Sequence, residues 1–241
     1  MKKTTKEYIF ENKDLGKYEF TIDTSTFEPT QTTVSIIHSS LPLIRSDSKV
    51  LDLGCGCGIV SIILSKLIKK NIHFFASDIS ESVEEIVQNN AIRHNVNIEV
   101  KRSNIFEAWS NQKFDLIIND ISGVSDKVAK ISPWFNNIAC ETGPGGDILV
   151  KRVINESTKH LKKGGKLVFP IISFSNEDEI IESANKVFTS VKLLRKDFWP
   201  TPKEMHNHLP LLNSLKQSGL ISFEEKFGTI IGHTSVFEAS L

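Results

Sequence analysis

The stretch Val50-Leu51-Asp52-Leu53-Gly54-Cys55-Gly56-Cys57-Gly58 carries the clearest structural signal in this chain of 241 residues. Apolar residues lead into an acid and then into three glycines at alternate positions, and residues 59–69 follow with the spacing of an amphipathic helix. We interpret this order as a strand, a tight turn and a helix. Glycine adopts positive φ without steric cost and lets a ligand approach the main chain, while the helix start offers unpaired N–H groups. The stretch therefore predicts a ligand-binding loop.

The glycine spacing and the acid before it indicate the kind of ligand. The pattern is Gly-x-Gly-x-Gly, whereas dinucleotide-binding folds use Gly-x-Gly-x-x-Gly to hold a pyrophosphate. The carboxylate of Asp52 would repel a pyrophosphate and attract an ammonium group. A second acid, Asp78, ends the next apolar stretch at residues 72–77. Asp52 therefore favours a ligand that carries an ammonium group.

Together, the glycine loop and the two acids resemble the S-adenosylmethionine-dependent methyltransferases of the Rossmann-like class. In that family the glycine loop holds the methionine part of the cofactor, and the acid after the second strand holds the ribose hydroxyls. The resemblance covers about residues 27–198 and implies S-adenosyl-L-methionine as the cofactor. The order of predicted helices and strands independently indicates an α/β three-layer sandwich with a seven-stranded, mostly parallel sheet and an antiparallel last strand. The cofactor contacts implied in this part of the chain are Asp52, Gly54, Cys55, Gly56, Gly58, Asp78 and Ile79.

The turn Phe27-Glu28-Pro29-Thr30 resembles the entry segment of protein and ribosomal RNA methyltransferases, which closes over the cofactor before the glycine loop. This resemblance implies cofactor contacts from Phe27, Pro29 and Thr30. A plain helix-capping turn explains the same residues, because the proline disfavours helix before it and a threonine can cap the helix that follows. The sequence leaves both interpretations open.

Asn104 and Ile105 follow the strand predicted at residues 97–102. Many members of the family carry an aspartate here, whose carboxylate accepts a hydrogen bond from the adenine amino group. The side chain of Asn104 has both an acceptor and a donor, which is compatible with adenine. The resemblance therefore implies cofactor contacts from both residues, although a turn asparagine without a ligand remains an alternative.

The chain departs from the family pattern at Asn119-Asp120-Ile121-Ser122. The glutamine and amino-group methyltransferases have Asn-Pro-Pro-Tyr here, and the asparagine accepts a hydrogen bond from the target nitrogen. The resemblance implies such a role for Asn119, together with a cofactor contact, while Asp120 could act as a general base for an amine or hydroxyl. Trp134 or Phe135 could supply the aromatic wall that the missing tyrosine would form.

The rest of the sequence predicts alternating helices and strands. Predicted helices cover residues 34–44, 59–69, 81–94, 148–161, 177–187 and 209–215, and predicted strands cover 18–22, 50–53, 72–77, 97–102, 114–118, 167–172, 191–198 and 229–239. Lysines and a glycine cap at residues 162–166 are expected to end the helix that starts at residue 148. We divide the chain into an N-terminal entry segment, residues 1–30, and a Rossmann-like methyltransferase domain, residues 31–241, with an insert at about 199–227.

Composition excludes some classes of function. Lys plus Arg and Asp plus Glu number 29 each, so the overall charge gives no attraction to nucleic acid. The three cysteines form neither a disulfide framework nor a zinc pattern, and we interpret them as small residues in a reducing cytosol. His206 and His208 lack a nearby cluster of further ligands, so no metal is predicted. No apolar run approaches membrane length, and we expect a soluble, cytoplasmic protein without membrane contact.

The sequence thus predicts an S-adenosylmethionine-dependent methyltransferase that N-methylates a protein, at a glutamine amide or similar group, or ribosomal RNA. Two alternatives stay open, a small-molecule methyltransferase with Asp120 as its base and a non-catalytic, cofactor-binding partner protein. A nicotinamide oxidoreductase is disfavoured by the glycine spacing and by Asp52. The sequence does not indicate the oligomeric state.

Overall fold

A computed structural model describes residues 4–24, 26–121, 123–135 and 142–241. In chain order the elements are β1 (Thr5–Asn12), β2 (Gly16–Asp23), α1 (Gln31–Ser40), β3 (Lys49–Leu53), α2 (Ile59–Leu67), β4 (His73–Asp78), α3 (Val83–Arg93), β5 (Ile98–Arg102), β6 (Phe114–Asn119), α4 (Asp126–Ile131), α5 (Ile148–Ser157), β7 (Leu161–Ile172), α6 (Glu177–Val187), β8 (Ser190–Pro200), α7 (Leu209–Gln217), β9 (Glu224–Lys226) and β10 (Thr229–Ser240). No helix among the described residues is both long enough and apolar enough to cross a membrane.

The main sheet has the strand order β5-β4-β3-β6-β7-β10-β8, and the short β9 pairs with the start of β10. Strands β5, β4, β3, β6 and β7 pair in parallel, whereas β10 runs antiparallel to both of its neighbours, β7 and β8. This arrangement confirms the predicted α/β fold with its antiparallel last strand. From β3 the chain adds β4 and then β5 on one side. It then returns to the other side of β3 to add β6. Ligands of open α/β sheets bind at such a switch point.

Alternate residues of the central strands enter two different cores, as the period of two in a buried strand requires. In β6, Leu116 and Ile118 pack with apolar residues of α1, α2 and α3 on one face of the sheet. Ile117 lies on the other face and packs with residues of α5 and α6. Helices therefore cover both faces, which gives the three layers that the sequence predicts.

The N-terminal segment forms a β-hairpin that packs against α3. Strands β1 and β2 pair antiparallel, and the Asn12 side chain accepts two main-chain hydrogen bonds within their turn. Phe20 is fully buried, with its ring centroid 5.1 Å from that of His94. On the outer side, Arg93 donates to Glu7 at 2.6 Å. The hairpin is thus part of the packed structure, and the sequence identified only its second strand.

One predicted helix end is wrong. Helix α5 ends at Ser157, and residues 161–166 belong to β7 instead of forming the helix end with its glycine cap. The main-chain N–H of Phe114 donates to the His160 carbonyl at 2.8 Å, and the β6–β7 register then shifts before Leu116 pairs with Lys166. Pairing with β6 therefore overrides the local helix signals of the lysines and glycines.

A third core lies at the carboxyl end of the sheet, above β7 and β8. It joins α4, α7 and the 3-10 helix at residues 203–208 around Phe174, which is fully buried. The sequence pattern predicts no element at the residues that form α4, a helix of only six residues. His206 lies in the 3-10 helix, where its ring nitrogen accepts from the Ile230 main chain at 3.4 Å.

Candidate functional site

A cavity of ≈ 1110 Å³ lies at the carboxyl ends of the parallel strands. Its walls come from the loops after β3, β4, β5 and β6, from residues 26–33 and from the end of β8. Pockets for one small molecule usually span about 300–1,000 Å³. The cavity is therefore large enough for a cofactor together with a reacting group of a second molecule.

The three glycines after β3 all adopt the left-handed backbone, with φ of +78° at Gly54, +51° at Gly56 and +81° at Gly58. An added Cβ at Gly54 would lie 2.5 Å from Ile121, and one at Gly58 would lie 3.0 Å from Val87. A Cβ at Gly56 would meet no described atom within 4 Å, because this residue faces the open cavity. Two glycines thus permit close packing, while Gly56 leaves room for a ligand.

Asp78, at the end of β4, connects two loops of the cavity wall. One carboxylate oxygen accepts from the Gly56 main chain at 3.0 Å, and the other accepts from the Ser80 main chain at 2.9 Å. Each oxygen keeps acceptor capacity for a ligand hydroxyl, because a carboxylate has about four lone-pair sites. The adjacent Ile79 also lines the cavity, and its 65% exposure provides an apolar surface next to the carboxylate.

Asp52 lies behind the glycine loop and does not belong to the cavity lining. It is fully buried; one oxygen accepts from the Ser61 main chain at 3.0 Å, and the other has no partner among the described residues. Burial raises the pKa of Asp52 to about 7 against the effect of the Ser61 hydrogen bonds, and the charge of Asp78 raises it further. Asp52 therefore holds the first turn of α2. Its contact with a ligand ammonium stays a prediction.

The two cysteines of the glycine loop are buried thiols. Cys55 and Cys57 are 4% and 6% exposed. Burial raises the pKa of Cys57 to about 12 and that of Cys55 well above its ordinary value. Both thiols therefore stay protonated, and neither is suited to nucleophilic chemistry.

The entry turn caps a helix and lines the cavity at the same time. Thr30 forms a capping box with Thr33 at the start of α1, and Phe27, Pro29 and Thr30 all line the cavity. The Tyr8 hydroxyl of the hairpin donates to the Pro29 carbonyl at 3.2 Å. The segment therefore caps α1, as one interpretation of the sequence proposed, and it also lies in the cavity wall, where the other interpretation placed it. Contact of these residues with a cofactor stays a prediction.

The turn after β5 places Asn104 and Ile105 on the cavity wall. Ile105 has a φ of +53°, which is a strained conformation for a β-branched side chain. The Ser103 hydroxyl stabilises this turn, since it donates to the Ile105 carbonyl at 2.8 Å and accepts from the Ala108 main chain at 3.0 Å. The Asn104 side chain donates to Glu107 at 2.9 Å, which leaves its carbonyl oxygen as an acceptor.

Asn119 and Asp120, at the end of β6, differ sharply in their surroundings. The Asn119 side chain is fully buried outside the cavity lining, where it accepts from the Ile121 main chain at 3.1 Å and donates to it at 3.0 Å. Asp120 is half-buried and lines the cavity, and its carboxylate has no hydrogen-bond partner in the described part of the chain. Burial, together with the charges of Asp52 and Asp78, raises its pKa. The neighbouring Ser122 lies outside the described residues.

Aromatic rings form a wall on the same side as Asp120. Trp134, Phe135 and Trp199 line the cavity, and the two tryptophan rings meet edge to face with centroids 5.3 Å apart. Phe135 also contacts Phe27 of the entry turn, with ring centroids 4.9 Å apart. The sequence named Trp134 and Phe135 as candidates for this wall but treated Trp199 only as the start of an insert. The sequence signal that could have identified Trp199 is its place at the carboxyl end of a predicted strand, because ligands of open α/β sheets bind beyond such strand ends.

Sequence reasoning also missed the role of Asn90 in α3. This residue is fully buried, and its side-chain oxygen accepts from the Thr21 main chain at 2.8 Å. Its amino group donates to the Thr21 carbonyl at 2.9 Å and to the Cys57 carbonyl at 3.0 Å. One amide thus joins the hairpin, helix α3 and the glycine loop.

The fold and the cavity define a Rossmann-like α/β domain with a cavity at the switch point of the sheet, where ligands of such folds bind. A family model described as a methyltransferase domain matches residues 44–210. The chain therefore belongs to the methyltransferase domain family. This membership confirms the methyltransferase family that the sequence resembles.

Individual relatives match this chain at about 30% sequence identity over part of its length. The chain is 31% identical over 140 residues to a bifunctional methyltransferase of Rickettsia bellii, a match that covers 55% of this chain and 25% of the relative. It is 29% identical over 153 residues to the release factor glutamine methyltransferase of Flavobacterium psychrophilum, covering 60% and 53% of the two proteins. The chain thus spans between a quarter and about half of the length of these relatives.

A solved structure shows the same fold over nearly the whole chain. It is the 16S rRNA N2 methyltransferase RsmC of T. thermophilus in complex with AdoMet and guanosine, with a TM-score of 0.60 and 12% identity. The match covers 98% of this chain and 50% of that one. At this identity the likeness concerns the fold alone.

Replacing Asp52 by Asn should change how stability depends on pH. Because the folded-state pKa of about 7 lies above the ordinary value of 3.8, the stabilising contribution of the protonated carboxyl is complete at low pH and is lost as the pH rises towards 7. Between pH 4 and pH 7 we expect the unfolding free energy of the wild type to fall by roughly 4 kcal/mol more than that of Asp52→Asn, measured by urea denaturation. Parallel curves for the two proteins would refute the raised pKa.

Replacing Asn90 by Ala should loosen the hairpin and the glycine loop together. The change leaves three main-chain groups without their partner, so we expect a loss of at least ~2 kcal/mol in unfolding free energy. Hydrogen exchange should accelerate both at Thr21 and in the glycine loop. The adjacent Asn89 is exposed, and Asn89→Ala serves as the control, with little change expected in either measurement. Equal effects of the two substitutions would argue against the role of Asn90.

Proposed function

We propose that this protein transfers the methyl group of S-adenosylmethionine to a nitrogen atom of a protein acceptor. The observation that carries the proposal is one cavity with two parts. Gly56 and Asp78 border a cofactor half above β3 and β4, and Asp120 and the aromatic wall border a second half above β6 and β8. A methyl transfer needs both molecules in one enclosed space.

The cofactor half fits S-adenosylmethionine. The space that a Cβ would take at Gly56 is open, and the glycine loop is held in place by the Asp78 carboxylate. In our proposal the same carboxylate accepts from the ribose hydroxyls, while Ile79, Asn104 and Ile105 surround the adenine. When bound, the cofactor supplies an electrophilic methyl group on a sulfonium centre.

The charge of the cavity supports a protein acceptor over RNA. Its described lining residues include no Lys, Arg or His, and the acids among them are Asp23, Glu28, Asp78, Glu81 and Asp120. Two ion pairs of described residues, Glu28 with Lys6 and Glu81 with Arg102, offset part of this charge. Nucleic-acid sites are normally lined by Lys and Arg that neutralise phosphates. The similarity to a release factor glutamine methyltransferase also favours a protein acceptor.

The residues of this chain would act by orienting the reactants and excluding water. Asn119 holds the turn that carries Asp120, so we assign it a positioning role in place of direct contact with the acceptor nitrogen. The entry turn closes the cavity beside Phe135. In this proposal residues 1–30 act as the entry segment, residues 31–241 form the methyltransferase domain, and the insert at about 199–227 supports the acceptor half.

We further propose that the reaction takes place in the cytoplasm. The free, buried thiols of Cys55 and Cys57 suit a reducing compartment, and release factors, which a relative of this chain methylates by its name, are proteins of translation.

The proposal is tested by incubating the protein with cell extract and S-adenosylmethionine labelled in its methyl group, followed by separation of protein, RNA and small molecules. We expect the label in the protein fraction. Label confined to RNA or to small molecules would refute the protein acceptor, and no label in any fraction, despite cofactor binding, would favour a non-catalytic partner protein.

Gly56→Val should abolish cofactor binding, because its side chain would enter the cavity instead of the protein core. Gly219 is the matched control, since it also has a left-handed backbone, φ +76°, and open space around an added Cβ, but it is exposed after α7. Both substitutions should cost about 1–2 kcal/mol of stability through backbone strain. Isothermal titration should detect binding to Gly219→Val only. Unchanged affinity in Gly56→Val would refute the placement of the cofactor.

Asp78→Ala should weaken S-adenosylmethionine binding by roughly 1.5–3 kcal/mol, the range for hydrogen bonds to a charged group. The substitution also releases the Gly56 and Ser80 main chains. Asp78→Asn keeps one acceptor oxygen and should lose less affinity in the same titration. If both variants bind as tightly as the wild type, Asp78 does not hold the ribose.

A further inference from the structure

Among the described residues, Asn119 does not face the acceptor half of the cavity, where it would have to bind a planar amide. An amide nitrogen in line for methylation needs acceptors for its N–H groups, and the sequence assigned that task to Asn119. In the structure the Asn119 oxygen already accepts from Ile121 at 3.1 Å, and the side chain is fully buried outside the cavity lining. The amide-recognition role is therefore not available to this side chain without breaking its own turn.

Asp120 presents a different chemistry to the same space. Its main-chain N–H is anchored to the Leu53 carbonyl at 2.8 Å, which fixes the residue beside the glycine loop. Its carboxylate lines the cavity without a hydrogen-bond partner among the described residues. A half-buried carboxylate without a partner is costly unless a donor or cation pairs with it. The described lining offers no such cation, so a bound cation would supply the missing partner.

The order of the strands separates this carboxylate from the cofactor contacts. Along the carboxyl edge of the sheet, Asn104 follows β5, Asp78 follows β4, the glycine loop follows β3 and Asp120 follows β6. The ribose and adenine contacts thus lie on one side of the glycine loop, and Asp120 lies on the other. The aromatic wall is on the Asp120 side, because Trp199 ends β8 and Trp134 packs against it with ring centroids 5.3 Å apart.

Aromatic rings and a carboxylate together form the usual surroundings of an organic cation. The faces of Trp and Phe rings attract an ammonium group electrostatically, and a nearby carboxylate pairs with its N–H groups. A neutral amide could donate to the carboxylate but would lack the charge that both features attract. We propose that the acceptor is a protonated amine, bound between Asp120 and the wall of Trp134, Phe135 and Trp199, and that Asp120 is the general base for its methylation. This inference rests on the proposed function and specifies its substrate class.

The chemical step conserves atoms and charge. The R–NH3⁺ group of the acceptor gives one proton to the Asp120 carboxylate, which frees the nitrogen lone pair. That lone pair forms the new N–C bond to the methyl group, while the cofactor sulfur keeps the electron pair of the broken C–S bond. The products are a methylated ammonium ion and the neutral thioether, and the proton on Asp120 passes to solvent.

A binding experiment tests the carboxylate without any knowledge of the natural acceptor. Sinefungin carries an ammonium group where S-adenosylmethionine carries its reactive methyl, whereas S-adenosylhomocysteine has an uncharged sulfur and no group at that position. We expect Asp120→Asn to weaken sinefungin binding roughly ten- to a hundredfold in isothermal titration and to leave S-adenosylhomocysteine within about threefold. Glu81→Gln removes a lining carboxylate on the cofactor side and should leave the ratio of the two affinities unchanged.

The labelled protein from the extract experiment gives a second readout. Acid hydrolysis releases a methylated amide as volatile methylamine, but it leaves a methylated amine attached to its amino acid. We expect the label to remain on the amino acid, and Asp120→Asn to lower its incorporation about 10²–10⁴-fold. Volatile methylamine, or a sinefungin ratio that Asp120→Asn does not alter, would overturn the amine acceptor. Failure of the wild type to bind S-adenosylhomocysteine at all would instead refute the proposed function.

Discussion

The left-handed backbone after β3 is the constraint on which the rest of the site depends. Gly54 and Gly58 let this loop pack against Ile121 and Val87, since an added Cβ would lie 2.5 Å from Ile121 and 3.0 Å from Val87. The Asp78 carboxylate then holds the loop through the Gly56 main chain at 3.0 Å. The loops after β4 and β6 therefore take their positions from the loop after β3, and the cavity lies where these three meet.

Three acidic side chains lie near this meeting point, and binding of a positively charged molecule can offset the free-energy cost of their mutual repulsion. Asp52, Asp78 and Asp120 lie at the ends of three adjacent strands, and their mutual repulsion adds to the effect of burial on the pKa of Asp52 and Asp120. A site without lining cations among its described residues favours a positively charged cofactor and, in our proposal, a positively charged acceptor. Binding of such molecules would lower the pKa of Asp52 and Asp120, so occupancy and protonation are coupled.

The N-terminal hairpin belongs to this site as much as to the fold. Asn90 connects its second strand to the glycine loop, and Tyr8 connects its first strand to the entry turn at Pro29. The Thr32 and Thr234 hydroxyls lie 2.9 Å apart, and the Trp199 indole donates to Thr234 at 3.1 Å. Short chains of hydrogen bonds thus connect the cofactor side of the cavity with its aromatic wall.

The sequence by itself determined the class of fold, the family and the glycine loop, because these depend on local pattern. The spacing of the glycines after Asp52 and the alternation of apolar strands with amphipathic helices can be recognised without knowledge of any long-range contact.

Only the tertiary structure decided which polar side chains face the cavity. Asp52 and Asn119 have the right residue type in the right place along the chain, yet both are buried outside the cavity lining, where Ser61 donates to one Asp52 oxygen and Ile121 pairs with the Asn119 amide. Trp134, Trp199 and Asn90 act through partners far away in sequence, and the β6 pairing that ends α5 early is equally non-local. Side-chain direction and long-range contacts arise from packing, which a local sequence pattern does not encode.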